Sequence, residues 1–208
     1  MLPTKSREDL TRSNSSPAGG ASRALEWLWQ HLRGVRYPRI LDCGPIYQST
    51  ADVLLQRGAK LYVADLLTPA QRPDPEFFDR RGKTPVFLIE NFLAQLPEIP
   101  SDSLSAIFCW HLLDLLPRDA LSRLVEHLCS YLHPEGVIFC LLREPYLALG
   151  AETCWWLESL TVLGSGVESR KPFPYPALTN REVERLVPGG KVKTFLTRAG
   201  RREVLALK

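Results

Sequence analysis

Short apolar runs alternate with amphipathic segments along most of this chain. The runs are rich in Leu, Ile, Val and Phe and are bounded by Gly, Pro or charged residues. Runs of this kind are typical of parallel strands that are buried on both faces of a sheet. Strands are therefore predicted at residues 40–41, 61–64, 86–89, 104–110 and 137–142.

Between these runs the apolar residues return with the period of a helix. A first helix is predicted over residues 21–34 from its stripe of Leu and Trp. A second is predicted to begin at Ser49, with Asp52 completing a capping box, and to end at Gly58. The most regular stripe predicts a third helix over residues 119–132.

The last third of the chain carries a different mixture of signals. Residues 146–163 are predicted to be helical, with apolar positions that include two tryptophans. Thr179 and Glu182 have capping-box spacing and predict a short helix. Residues 191–197 and 203–207 predict two strands whose spacing permits a hairpin.

Strands that alternate with helices predict an α/β fold with right-handed crossovers. We expect a Rossmann-like open sheet of about seven strands, mostly parallel, with an antiparallel C-terminal hairpin strand and helices on both faces. Residues 1–20 are rich in Ser, Pro and Gly and are predicted to be a disordered tail. The remaining residues 21–208 are predicted to form one domain.

Composition narrows the functional classes. No run approaches the roughly 18 apolar residues of a membrane span, and the polar N-terminus lacks the apolar core of a secretory signal. The five cysteines are an odd number without a C-x-x-C pair, which favours buried, reduced thiols over disulfides or a metal site. These features predict a cytoplasmic protein that does not enter a membrane.

The net charge of +3 conceals an uneven distribution of charge. Residues 39–163 hold ten Lys and Arg against sixteen Asp and Glu, so both ends of the chain are basic. The basic ends are either contacts for an anionic partner or an ordinary solvated surface. Interleaved Arg and aromatic residues are absent from the sequence, so a nucleic-acid partner is not predicted.

Candidate functional residues stand directly after the predicted strands. Asp42 follows the first strand, Asp65 the second, Asn91 the third and His111 the fourth. Open α/β sheets bind ligands at the carboxyl ends of their strands, where helix N-termini attract anions. The sequence therefore predicts a binding site at this edge.

Several motifs in order resemble those of class I S-adenosylmethionine-dependent methyltransferases, and the likeness runs from about Arg39 to the C-terminus. An acid at Asp65 stands where that family holds the ribose. The other motifs are hydrophobic-hydrophobic-Asp-x-Gly at Ile40–Gly44, Leu96-Pro97 followed by Ser101–Leu104, the segment Trp110–Leu116, and the turn Leu132–Gly136.

The resemblance implies S-adenosylmethionine as the cofactor. In such a site the Gly44 turn offers N–H groups to the methionine carboxylate, Asp65 accepts the ribose hydroxyls, and Asn91 bonds the adenine amino group. His111 is the candidate catalytic residue, either as a general base or as a wall of the pocket. The implied cofactor-binding residues are Asp42, Cys43, Gly44, Ile46, Asp65, Leu66, Asn91, Phe92 and Trp110.

The resemblance also implies an acceptor for the methyl group. An N-P-P-Y segment after the fourth strand is absent, which disfavours adenine or glutamine amides and leaves a small-molecule O, N or C nucleophile. Trp155 and Trp156, with the loop at residues 172–176, lie where the family varies for substrate choice. They are the candidate substrate lid.

One departure from the family pattern leaves two functions open. The family loop reads Asp-x-Gly-x-Gly-x-Gly, whereas only Gly44 remains here, followed by Pro45 and Ile46. Proline removes an N–H donor, and a β-branched residue is poorly suited to positive φ. The chain is either a methyltransferase with weakened cofactor binding or a non-catalytic scaffold of the same fold that binds a partner protein.

A third alternative is a nicotinamide oxidoreductase, because Asp65 lies 21 residues beyond Gly44. The fingerprint G-x-G-x-x-G is not met, since Ile46 and Ser49 replace its later glycines.

Overall fold

A computed structural model describes residues 19–71, 75–80, 85–143, 152–169, 174–187, 189, 191–197 and 201–208. The strands are β1 (Gly20–Ala21), β2 (Arg39–Asp42), β3 (Lys60–Val63), β4 (Phe78–Asp79), β5 (Val86–Phe87), β6 (Leu104–Trp110), β7 (Leu132–Arg143), β8 (Glu152–Ser159), β9 (Val162–Ser169), β10 (Val192–Leu196) and β11 (Arg201–Leu207). The α-helices are α1 (Arg23–His31), α2 (Gln48–Gln56), α3 (Leu67–Gln71), α4 (Ile89–Leu93), α5 (Leu112–Leu115), α6 (Arg118–Tyr131) and α7 (Asn180–Leu186). Short 3-10 helices cover Leu32–Gly34 and Pro75–Phe77.

The main sheet has six described strands in the order β10-β11-β7-β6-β2-β3. The pairings β2–β3, β2–β6 and β6–β7 are parallel, whereas β11 runs antiparallel to both β7 and β10. The predicted α/β architecture with an antiparallel C-terminal hairpin is confirmed. Within the described ranges the main sheet has six strands, where about seven were predicted.

The third predicted strand, residues 86–89, does not join the main sheet. Val86 and Phe87 form β5, which pairs with β4, and α4 already begins at Ile89. The ring of Phe87 lies 5.3 Å from that of Phe78 and 5.4 Å from that of Phe92. This aromatic cluster draws the segment into a small local ladder.

The predicted helix over residues 146–163 is wrong. The part of it that the structure describes belongs to the antiparallel hairpin β8–β9, which with β1 makes a second sheet in the order β1-β9-β8. Trp155 and Leu157 are buried two positions apart, as expected on one face of a strand. Trp156 lies across the hairpin from Gly164, where a Cβ atom would clash with its indole.

Helices cover both faces of the main sheet, as predicted. Residues of α1 and α2 pack with the β8–β9 hairpin in one apolar cluster, and residues of α3 to α7 pack in another. Neighbouring residues of β2 divide between the two clusters, Ile40 to the first and Leu41 to the second. The central strands are therefore apolar on both faces, which explains their uninterrupted apolar runs.

Helix α1 begins at Arg23 and is shorter than the predicted 21–34 helix. Ser22 caps it, because its Oγ accepts a hydrogen bond from the N–H of Leu25 at 3.1 Å. The same Oγ donates to Oε2 of Glu203 on β11 at 2.8 Å, and the N–H of Ala24 donates to that oxygen at 3.2 Å. A buried carboxylate thus joins the first helix to the last described strand.

The two predicted capping boxes have different outcomes. The box at Thr179 is present, because Oε2 of Glu182 accepts a hydrogen bond from the N–H of Thr179 at 2.7 Å. The box at Ser49 is wrong, since the N-cap of α2 is Tyr47, two residues earlier, and its side chain makes no capping hydrogen bond. Asp52 instead accepts a hydrogen bond from the side chain of Gln48 at 2.7 Å.

The remaining global predictions concern the tail, the thiols and the membrane. Residues 1–18 of the predicted tail lie outside the described part of the chain, and Gly20 already belongs to β1. Four of the five cysteines are buried free thiols, and Cys154 is partly buried. Among the described residues, no helix has the length and hydropathy for a membrane span.

Candidate functional site

The parallel strands bring several predicted site residues to one edge of the sheet. Asp42 is paired with Val63 on one side and with Phe108 on the other, so β2, β3 and β6 end close to one another. Asp65 follows β3 by two residues, and His111 follows Trp110 directly. The edge on which we expected ligand binding therefore carries two acids, an indole and an imidazole.

Asp42 is almost completely buried, with 1% of its surface exposed. Its Oδ1 accepts two hydrogen bonds, from the N–H of Gly44 at 2.9 Å and from Nε1 of Trp110 at 2.6 Å. Burial raises the pKa of Asp42 to about 6, because desolvation outweighs these hydrogen bonds and the negative charge of Asp65 adds to it.

The indole of Trp110 lies directly against the turn that follows β2. A Cβ atom on Gly44 would stand 2.7 Å from Cδ1 of that indole, so only glycine fits there. Trp110 is 2% exposed and has φ of 49°, a left-handed conformation that is unusual for a bulky residue and costs about 1–3 kcal/mol. Its ring also packs on those of Phe108 and Phe139.

The amides at the start of this turn point into the protein. The N–H of Cys43 donates to the carbonyl of Phe108 at 2.9 Å, that of Gly44 donates to Asp42, and Pro45 has no N–H. The role that the resemblance gives to Gly44 therefore requires this turn to rearrange. Ile46 is 52% exposed and does not fill the turn.

Asp65 stands in a more open environment than Asp42. It is partly buried, and its oxygens accept from the N–H of Thr68 at 2.9 Å and from its Oγ1 at 2.6 Å. This arrangement caps the start of α3. An ionised carboxylate has about four acceptor positions, so Asp65 retains capacity for further hydrogen bonds.

The other predicted binding residues are placed differently from one another. Leu66 and Phe92 are fully buried, and the ring of Phe92 contacts that of Phe77 at 5.4 Å between centroids. Asn91 is exposed on α4, where its amide donates to the carbonyl of Glu76 at 3.2 Å. Both Asn91 and Phe92 were predicted to follow a strand of the main sheet, whereas both lie within α4.

His111 directly precedes α5, and its imidazole contacts the buried carboxylate of Asp114. Its Nδ1 lies 3.4 Å from Oδ2 of Asp114, which also accepts the N–H of Arg143 at 2.8 Å. The imidazole side chain is 12% exposed and its ring centroid lies 6.0 Å from that of Trp155. Sequence reasoning missed Asp114, although its spacing of three residues from His111 on a helical turn was a usable signal.

The β8–β9 hairpin covers this edge. Trp155 stands near His111, and the ring of Trp156 lies 5.4 Å from that of Tyr47 in the turn after β2. The N–H of Leu157 donates to Oγ1 of Thr50 on α2 at 2.9 Å, which fastens the hairpin to the helix. The two tryptophans of the candidate lid thus lie over the edge, on strands where a helix was predicted.

The loop that completes the candidate lid is only partly described, because residues 170–173 lie outside the described part of the chain. Arginine side chains bind the carbonyls of its described end. Arg143 donates to Tyr175, and Arg118 donates to Pro176 at 2.8 Å and to Ala177 at 3.1 Å. These contacts connect the loop to the strand end and helix beside His111.

Comparison with known proteins places methyltransferases among the solved structures that this chain resembles. No protein-family model and no curated protein matches the sequence. A methyltransferase from Mesorhizobium loti is 16% identical over 89% of this chain and 99% of its own, with a TM-score of 0.48.

Two further structures show the same degree of similarity. The 1,6-didemethyltoxoflavin-N1-methyltransferase of Burkholderia thailandensis, solved with S-adenosylhomocysteine, is 17% identical over 89% of this chain and 76% of its own, with a TM-score of 0.45. A methyltransferase from Aquifex aeolicus is 11% identical over 90% of both chains, with a TM-score of 0.41.

Proposed function

We propose that this chain is an S-adenosylmethionine-dependent methyltransferase-type protein of the cytoplasm that methylates a small molecule. The observation that carries the proposal is the pair of acids at the ends of adjacent parallel strands, Asp42 after β2 and Asp65 after β3. Helices α2 and α3 begin just beyond them. Such an edge, with helix N-termini opening onto it, is the usual ligand position in open α/β sheets.

The end of the site near Asp65 fits the adenosyl half of the cofactor. Asp65 is partly exposed and keeps acceptor positions with which it would bind two ribose hydroxyls. The end near Asp42 is closed, because the indole of Trp110 lies on Gly44 and the N–H of Gly44 is bonded to Asp42. The amino-acid half of the cofactor fits only when this indole is displaced.

The residues on the other side of the edge suit an acceptor site. When bound, the cofactor supplies an activated methyl group, and transfer by displacement mainly requires positioning and exclusion of water. Trp155 and the hairpin that carries it would exclude water. His111, held by Asp114, would orient the acceptor or take its proton.

The antiparallel β10–β11 hairpin favours this proposal over a nicotinamide oxidoreductase. It closes the sheet with the two strands that the methyltransferase plan calls for. Ile46 and Ser49 also stand where the dinucleotide fingerprint needs glycine.

Calorimetric titration of the purified protein with S-adenosylmethionine and S-adenosylhomocysteine tests the proposal. We expect saturable binding, weakened at least about tenfold in Asp65→Ala, which corresponds to about 1.4 kcal/mol. Glu98→Ala, at an exposed acid away from the edge, is the matched control and should bind like the unaltered protein. Equal affinity in Asp65→Ala would contradict the assigned ribose contact.

The second candidate function is a non-catalytic binding protein of the same fold. The indole of Trp110, buried against Gly44 and bonded to Asp42, favours it because the interior of the turn is already occupied. In that case neither nucleoside ligand would give a saturable signal at high micromolar concentration, and the protein's partner would bind elsewhere.

A further inference from the structure

The packing of Trp110 separates the two halves of the candidate ligand site. Its Nε1 donates to Asp42 at 2.6 Å, and its Cδ1 and Nε1 lie 2.7 and 2.8 Å from the position that a Cβ of Gly44 would take. Asp65, by contrast, contacts only a threonine of its own helix start among the described hydrogen bonds. One half of the edge is filled by a side chain of the protein itself.

We infer that Trp110 occupies the subsite for the amino-acid tail of a nucleoside ligand and that a tailed ligand binds only by displacing its indole. This inference rests on the proposed function, since it concerns the same site. It makes Trp110 a specificity-determining residue, which discriminates between adenine nucleosides with an amino-acid tail and those without one.

The hydrogen bonds show which ligand groups the indole replaces. A carboxylate such as Asp42 would attract the ammonium group of an amino-acid tail, and the indole N–H donates to that carboxylate in its place. The N–H of Gly44, which would suit the tail's carboxylate, donates to the same Oδ1. Removing the indole therefore frees an acceptor and opens the face of Gly44.

The backbone shows that this placement is not the relaxed one for tryptophan. The left-handed φ of 49° accompanies an irregular register of β6 against β7 between Phe108 and Trp110. Glycine adopts this conformation without a steric penalty. Trp110→Gly therefore removes the indole and also relieves the backbone strain. A bulky residue held in a strained conformation beside a ligand edge indicates a functional constraint.

The consequence for binding follows from population arithmetic. When only a fraction of the molecules has an open subsite, the apparent dissociation constant is the intrinsic one divided by that fraction. An open fraction of roughly 10% or less raises the apparent dissociation constant of a tailed ligand at least about tenfold. A ligand without the tail does not need the subsite and escapes this penalty.

The test compares two ligands on the full chain. S-adenosylhomocysteine carries the tail, and 5′-methylthioadenosine has the same nucleoside without it. We expect Trp110→Gly to bind S-adenosylhomocysteine at least about tenfold more tightly than the unaltered protein does, with less than about threefold change for 5′-methylthioadenosine. Trp110→Phe, which keeps an aromatic ring but lacks Nε1, should gain less.

The titrations of Trp110→Gly and of the unaltered protein distinguish the inference from the proposed function. An unchanged affinity of Trp110→Gly for S-adenosylhomocysteine, or an equal gain for both ligands, overturns the inference and leaves the proposed function standing if the unaltered protein binds. Binding by Trp110→Gly alone supports the inference and contradicts the enzyme. Absence of binding in both proteins overturns both proposals.

A measurement on the unaltered protein decides the matter if Trp110→Gly does not fold, as judged by circular dichroism. Similar affinities for the two ligands, or a preference for 5′-methylthioadenosine, support a closed tail subsite. S-adenosylhomocysteine bound more than about tenfold more tightly than 5′-methylthioadenosine overturns the inference.

Discussion

Asp42 and Asp65 follow neighbouring parallel strands, yet the protein treats them differently. Asp42 is buried, and its Oδ1 accepts from an indole and from an amide of its own turn. Asp65 is partly exposed and bonds Thr68 at the start of α3. Asp42 is a buried acceptor that joins the end of β6 to the turn after β2, and Asp65 is a partly exposed helix cap.

The difference shows that position at a strand end does not decide what an acid does. Both residues satisfy the same sequence pattern, an acid after a buried apolar run. Only Asp42 has a large aromatic residue, Trp110, at the end of the adjacent strand β6. The residue next to an acid in space therefore selects between ligand contact and internal hydrogen bonding.

Removing the indole of Trp110 should have the largest effect on the difference between Asp42 and Asp65. Trp110→Ala deletes a buried aromatic side chain and leaves a cavity, and we expect a loss of about 3–5 kcal/mol in the free energy of unfolding. Urea denaturation measures it. Trp27, which is partly exposed and stacks on His31, is the matched control, and Trp27→Ala should lose much less. Equal losses would show that Trp110 has no special place in the packing.

The titration of Asp42 gives a second large effect. Burial raises its pKa from the ordinary 3.8 to about 6, so the folded protein binds this proton more tightly than the unfolded chain does. The contribution of Asp42 to stability is therefore fully present below about pH 4, falls as the pH rises to about 6, and is level above that. The total loss is on the order of 3 kcal/mol.

Urea denaturation between pH 4 and pH 7 measures this dependence. Asp42→Asn removes the titrating group, and the stability of that variant should decline less over the same interval than that of the unaltered protein. Asp65→Asn should leave most of the decline in place, because burial and not the charge of Asp65 is the main cause of the raised pKa of Asp42. A decline of the same size in Asp42→Asn would assign the effect to other groups.

The attachment of the hairpin that covers the edge gives a smaller effect. Thr50→Val removes the hydroxyl that accepts the buried N–H of Leu157, with little change in shape. We expect a loss of about 1–3 kcal/mol, because the donor remains buried without its partner. Thr50→Ser keeps the acceptor and should lose less, as thermal unfolding would show. Similar melting of both variants would contradict the hydrogen bond's contribution.

The helix cap at Asp65 gives the smallest effect. Asp65→Ala removes the acceptor for Thr68 and should cost about 1 kcal/mol of stability, whereas Asp65→Ser should restore part of it because serine also caps helices. Chemical denaturation compares the three proteins. A loss several times larger would mean that Asp65 is as integral to the structure as Asp42.

The strands of the main sheet were predictable because their physical cause is local. The run of β2 is apolar on both faces of a parallel sheet, and Asp42 ends it where the chain turns. The same holds for β6 and for residues 137–142 of β7, which form buried apolar runs. The strand–helix alternation and the likeness of the motifs then predicted the sheet edge at which Asp42, Asp65, Trp110 and His111 gather.

The errors arose where contacts between distant residues decide the structure. Trp155 and Leu157 share a strand face, but the apolar Trp156 between them hides the alternation of apolar and polar residues in the sequence. Trp156 packs against Gly164 on the opposite strand, which no local pattern indicates. The run at residues 86–89 has the apolar character of a strand, yet its place is set by aromatic rings on other segments. The occupation of the turn by Trp110 depends on the pairing of β6 with β2, which no local pattern expresses.

The carboxylate of Glu203 has a consequence for how the molecule opens. It receives hydrogen bonds from Ser22 and from Ala24, at the start of α1, across 181 and 179 residues of chain, and it sits on β11, which lies between β7 and β10. Contacts of such long range form late, since closing a large loop must precede any gain from them. The backbone amides of α1 and β11 should therefore exchange their hydrogens at the same rate, as one cooperative unit. Residues far apart in the chain would then become exposed in the same opening event.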